Sequence, residues 1–145
     1  MSHAYARNYV HLIFGTKDGR PWIRDPKRMH TYFVDMAKEY KIDIKAIGGI
    51  CDHIHVLFSL PPKLSVATVV RTLKANSSKW MNEIGHPFAW QEGYGLFSVS
   101  VSNLEAVSAY IARQEEHHRN RCYQEEFAEF LRKHGIVTKS GKELD

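Results

Sequence analysis

The sequence predicts an α+β domain of the split βαβ kind, an antiparallel sheet with two helices on one face and a further helical segment after it. Two observations carry this. Four short segments rich in β-forming residues end at turn signals, and two stretches of helical apolar spacing fall after the first and the third of them. A third is that the chain beyond the fourth strand returns to helical spacing.

Tyr9 to Lys17 reads as the first strand, with Tyr9, Val10, Ile13 and Phe14, and closes at Asp18-Gly19-Arg20-Pro21. Asp25-Pro26 is a helix start, an N-cap followed by a ring already set for the first turn. Met29, Phe33, Met36 and Tyr40 then keep helical spacing to about Tyr40. Ile42 to Ile50 alternates as a half-buried strand, and Cys51 to Leu60 follows as another, closed by Pro61-Pro62. Ser65 caps the second helix, with Val66, Val69, Leu73, Trp80 and Ile84 on its buried side and Gly85 at its end. An aromatic, glycine-punctuated loop (Phe88 to Gly95) leads to a strand from Leu96 to Val101. Ser102 and Glu105 fit a capping box for a helix with Leu104, Val107 and Ile111 as its apolar stripe. Phe127, Phe130 and Leu131 mark a last helical pattern. The order is that of a ferredoxin-like or RRM-like sheet, one domain over residues 1–136, with a polar and flexible tail at 137–145.

The 145 residues suit one domain with a core of its own. No apolar run approaches the roughly 20 residues that cross a bilayer, and the polar start of the chain is unlike a signal peptide. A cytoplasmic protein is therefore expected. Cys51 and Cys122 make no disulfide framework. The net charge of +4 (20 Lys+Arg, 16 Asp+Glu) is a mild excess that attracts nucleic acid only where it is clustered.

The placement of the nine histidines says more than the charge. In the strand Asp52-His53-Ile54-His55-Val56, residues two apart share a face, so His53 and His55 project together while Ile54, Val56 and Phe58 enter the core. Two adjacent imidazoles on one face form a bidentate metal site. The ordinary alternative is a strand with two solvent-facing histidines. Zinc is the weaker choice of metal: Cys51 with His53 and His55, completed by His117, His118 or Cys122, lacks a C-x-x-C pair. On the capped helix Tyr110 and Gln114 are four apart and share a side, with His117 near them. By spacing alone that is an amphipathic surface.

Taken together, His53-Ile54-His55 and Tyr110-x-x-x-Gln114 resemble the HUH endonuclease superfamily, in particular the small single-tyrosine transposases of insertion sequences. The related transposases associated with repetitive extragenic palindromes share the pattern. The flanks agree: Gly48-Gly49 before the histidines, Trp90-Gln91-x-Gly93-Tyr94-Gly95 before the helix, and Glu115-x-His117-His118 after Gln114. The resemblance runs from about Tyr9 to Gly135.

The resemblance implies metal-dependent cleavage and rejoining of single-stranded DNA at mobile-element ends. His53, His55 and Gln114 would hold Mg²⁺ or Mn²⁺. Tyr110 would be the nucleophile, leaving a 5′-phosphotyrosine link and a free 3′-OH, so that strands rejoin without ATP. It also implies a cytoplasmic bacterial or archaeal enzyme and a homodimer in which one subunit's tyrosine helix completes the other's site, with Gly93 and Gly95 as hinge points. For hairpin DNA at the element end, Arg71 and Lys74 share one side of the second helix with Ser78, with Lys63 and Lys79 near. Arg113, Arg119 and Arg121 lie close to the catalytic stripe. Phe88, Trp90 and Tyr94 are candidates for stacking on unpaired bases. The competing readings are a domesticated relative acting on repeated palindromic DNA, a non-catalytic RRM-like module for single-stranded RNA or DNA, and a zinc-stabilised structural protein.

Overall fold

Strand periodicity decides which residues the sheet hides, and here it hides both faces. The computed structural model describes residues 5–118 and 122–136. β1 (Tyr9–Gly15), β2 (Asp43–Ile50), β3 (His53–Ser59) and β4 (Gly95–Ser98) form one antiparallel sheet in the order β2-β3-β1-β4, the expected split βαβ arrangement. On the first face Val10, Leu12, Phe14, Ile54, Val56 and Phe58 are buried under two helices.

α1 (Pro26–Glu39) starts where Asp25 accepts the Arg28 backbone N–H at 3.2 Å. α2 (Val66–Glu83) starts where Ser65 Oγ accepts the Thr68 N–H at 3.1 Å. Met29, Phe33 and Ala37 from α1 and Val69, Val70 and Leu73 from α2 fill the core, at about 1.5–3 kcal/mol for each large side chain removed from water. The apolar stripe of α2 drifts with the 3.6-residue period, so Met81 is buried where Ile84 was expected, and Ile84 is exposed. Trp80 lies flat on Tyr32, ring centroids 4.3 Å apart.

The second face carries His11 and Ile13 from β1, His53, His55 and Leu57 from β3, and Phe97 from β4. Solvent does not reach it. α3 (Leu104–Ala112), α4 (Gln114–His117) and α5 (Tyr123–Lys133) cover it, and Tyr123, Phe127 and Leu131 make a second core with Ile13 and Phe97. Glycine permits the close approach. A Cβ on Gly48, paired with His55, would fall on the Ile111 carbonyl of α3, and one on Gly95, paired with Ile13, would come within 2.6 Å of the Phe127 ring.

Three expectations change at this level. The Ser102–Glu105 capping box does not form: Val101–Asn103 is a 3₁₀ turn, Asn103 precedes α3 without a side-chain cap, and Ser102 Oγ meets Ser100 Oγ at 3.0 Å. The helix carrying Tyr110 stops at Ala112 and restarts after Arg113. Gly93 and Gly95, expected as hinge points, are tied down in this structure: the Gly93 carbonyl accepts Lys74 Nζ at 3.0 Å and Gly95 is paired in β4. The tail at 137–145, with Arg119 and Arg121, lies outside the described residues.

Candidate active site

β3 aims His53 and His55 to one side, as its alternation predicts, and both are fully buried. His53 Nδ1 lies 2.8 Å from Asp52 Oδ1 and its Nε2 lies 2.8 Å from Gln114 Oε1. Both ring nitrogens thus face acceptors, which suits a protonated imidazole. Burial pushes this histidine down, but hydrogen bonds to Asp52 and Glu126 outweigh it and raise the pKa to about 9. His55 differs. Its Nδ1 meets His11 Nε2 at 2.8 Å and its Nε2 donates to Glu126 Oε1 at 3.0 Å, so it is a neutral ring between a donor and an acceptor. Burial holds His55 at about 4, and burial with the neighbouring His55 holds His11 at about 3.

Glu126 of α5 joins the parts. Its Oε1 accepts from His55 and from His118 Nε2, each at 3.0 Å, and lies 3.4 Å from His53 Nε2. Its Oε2 accepts from Gln114 Nε2 at 3.0 Å and from the Tyr110 hydroxyl. Burial pushes the carboxyl up, yet hydrogen bonds from His118, His53 and His55 hold it far below the usual carboxylate range. His53, His55 and Glu126 each turn one ligand atom into a space where these atoms lie within 4.8 Å of one another. Two imidazoles and one carboxylate are a donor set for a borderline or hard divalent cation, and the second ring nitrogens of both histidines are held by Asp52 and His11. Gln114 Oε1 stands at the same place, 2.8 Å from His53 and 3.1 Å from His118. The Tyr110 ring lies 4.5 Å from the His117 ring and 5.9 Å from that of His55, beside a cavity of about 160 Å³ walled by Glu129, Phe130 and Lys133.

The structure therefore brings His53, His55, Gln114 and Tyr110 of a single chain together. Neither Glu126 nor His11 is among the site residues expected from the sequence, where His118 stands as a zinc ligand and as part of the flank after Gln114. Glu126 has a sequence signal, since an acid three residues after Tyr123 and four before Phe130 sits inside an apolar helical stripe. His11 shares strand parity with Ile13, whose partner across the ladder is His55. Neither signal names a role by itself.

The basic residues divide. Lys63, Arg71, Lys79 and Arg113 are exposed, and Lys79 lies 3.9 Å from Glu83. Arg71 and Ser78 share a cavity of about 500 Å³ with Trp90 and Tyr94. Lys74, expected to meet phosphate, is instead directed inward: its ammonium donates to the carbonyls of Gln91 (2.7 Å), Gly93 (3.0 Å) and Glu92 (3.3 Å). Burial pushes it down to about 8. Phe88 and Trp90 belong to the first core, and Trp90 Nε1 donates to Ser77 Oγ at 2.8 Å. Among the described residues no helix is long and apolar enough to cross a membrane.

Comparison with known proteins bears on the family and the fold. The sequence family described as "Transposase IS200 like" matches residues 4–114, from before β1 through Gln114. No match was found among curated protein sequences. Solved structures share the fold, two of them as follows. One is a protein assigned as a transposase from Deinococcus radiodurans R1, with TM-score 0.59 and 21% identity, over 79% of this chain and 96% of that one. The other is a REP-associated tyrosine transposase bound to a REP hairpin, with TM-score 0.62 and 12% identity, over 81% of this chain and 73% of that one. The chain belongs to the IS200-like transposase family and is a DNA-processing enzyme.

Proposed function

We propose that this transposase cleaves and rejoins single-stranded DNA at hairpin-bearing ends, with Tyr110 as the nucleophile. One observation carries the reading: the Tyr110 hydroxyl is bound to the same carboxylate that His55 and His118 share. A phenol with an ordinary pKa near ~10 attacks poorly at neutral pH and must shed its proton as the new bond forms. Glu126 Oε2 accepts the hydrogen bond of the hydroxyl and so orients it, and the proton passes to solvent as the new bond forms. Tyr110 Oη bonds to phosphorus, the P–O3′ bond breaks, and the 3′ oxygen leaves as a hydroxyl by taking a proton from solvent. The phosphotyrosine keeps the phosphoester, so a second 3′-OH reverses the step and joins new strands.

His53, His55 and Glu126 would hold the cation, Mg²⁺ or Mn²⁺, with Gln114 as a further oxygen ligand. Such an ion supplies Lewis-acid polarisation of the scissile phosphate. Asp52 and His11 keep the two ligand rings in place from behind. Because Tyr110 reaches the histidines of its own chain, we read it as acting in cis. A homodimer then pairs two complete sites instead of building them jointly.

The hairpin in the REP-associated relative supports hairpin DNA as the ligand here, with Arg71, Lys63, Lys79 and Arg113 as exposed phosphate contacts. The test is incubation of labelled hairpin-bearing single strands with Mg²⁺ or Mn²⁺. Wild type forms an adduct that survives denaturation, Tyr110→Phe forms none, and His53→Ala and His55→Ala lose cleavage. An adduct that persists in Tyr110→Phe overturns the nucleophile assignment.

A further inference from the structure

On the side of Gln114 away from α5, a cleft of about 540 Å³ opens between the start of α1, the end of β2 and the junction of α3 with α4. Gln114 belongs to its wall and to the histidine cluster at once, so a ligand in the cleft sits next to whatever occupies the cluster. We propose that this cleft takes one unpaired nucleobase of the substrate strand, adjacent to the phosphate at the His53–His55–Glu126 cluster, and selects a base with an exocyclic amino group. The inference rests on the reading of the cluster as a strand-cleaving site.

The volume is in the range of small-ligand sites, roughly 300–1,000 Å³. Ile47 and Ile50, both half-buried, give it apolar surface of the kind a base plane covers. Its charges do not suit a phosphate, since Asp25 and Glu115 more than balance Lys27. They suit a base edge. Glu115 is exposed on the wall, and its carboxylate accepts from the amino group of cytosine, adenine or guanine. Thymine offers two carbonyls around its single N–H and is repelled. His30 is half-buried in the wall and makes no hydrogen bond among the described residues. Burial, opposed by Asp25, keeps it at about 4, so at neutral pH it brings one donor and one acceptor.

The probe is a hairpin with an unpaired flank, carrying 2-aminopurine at each flank position in turn, bound to Tyr110→Phe protein so that nothing is cut. One position should change its fluorescence on binding, and His30→Ala should abolish that change. With wild-type protein and the four natural bases at that position, adduct formation should favour an amino-bearing base over thymine by about tenfold or more. Glu115→Ala, at an exposed position, should bring the ratio close to one. If adducts form at equal rates whatever the base, and Glu115→Ala changes nothing, the cleft does not read a base while the cleavage reading stands. If no adduct forms with any strand, the cleavage reading fails. The fluorescence scan decides base binding in either case, because a flat scan overturns it without reference to cleavage.

Discussion

The hydroxyl of Tyr110 on α3 donates to Glu126 Oε2 on α5, across sixteen positions of chain, while Oε1 of the same carboxylate accepts from His55. One side chain thus couples the proposed nucleophile to the proposed metal donors. Replacing it should disturb both. Glu126→Gln is expected to weaken Mn²⁺ binding at least about tenfold, read by calorimetry on the DNA-free protein. An unchanged affinity would return the third ligand position to Gln114 alone.

Gly48 offers a test of how the second layer is seated. Because a Cβ there would fall on the Ile111 carbonyl, Gly48→Ala must push α3 off the sheet. Overpacking of this sort costs about 1–3 kcal/mol, measurable in urea, and should reduce adduct formation as Tyr110 moves with its helix. Wild-type stability in this variant would mean that α3 is not held at β2.

Lys74 and Arg71 lie on the same helix and should behave differently. Lys74→Met removes an ammonium that ties down three carbonyls of the 91–93 loop, so stability should fall by about 1–3 kcal/mol. The salt dependence of DNA binding should hardly move. Arg71→Ala should leave the melting temperature alone, weaken binding of every hairpin strand, and lower the salt slope by about one. The reverse pattern would restore Lys74 as the phosphate contact.

The histidines predict opposite limbs of pH dependence in metal-free protein. His11 (about 3), His30 and His55 (each about 4) have folded pKa values below the unfolded value near ~6.5. The unfolded chain binds more protons in that window, so stability is present above about pH 6.5 and is lost as pH falls toward 4. His53, raised to about 9, contributes stability that is complete below about pH 6.5 and lost as pH rises through 9. Melting temperature should peak near neutrality. His11→Gln should reduce the acid-limb slope by about one proton, or ~1.4 kcal/mol per pH unit. An acid limb identical to that of wild type would show that His11 does not stay neutral in the fold.

Much of this was legible along the chain because it depends on local period. Alternation in His53–Ser59 set the common direction of His53 and His55 and sent Ile54, Val56 and Phe58 into the core on the other face. Asp25-Pro26 and Ser65 started their helices where capping chemistry requires. The box at Ser102 failed although its spacing was correct, because the chain enters α3 through a 3₁₀ turn that puts Asn103 at the cap. Lys74 reads along its helix as a phosphate contact, because only the fold brings the loop at 91–93 over it and supplies its acceptors.

By itself, then, the sequence determined the order of strands and helices, the His-x-His pair on one strand face, and Tyr110 and Gln114 four residues apart near the other end. Only the tertiary structure decided that the histidine face is a second core and that Glu126 stands between Tyr110 and both histidines. The reason is range: strand and helix periods act over a few residues, whereas the partner of a buried imidazole is chosen by which helix packs over it. Here glycines at 48 and 95 let α3 and α5 come close enough to make that choice.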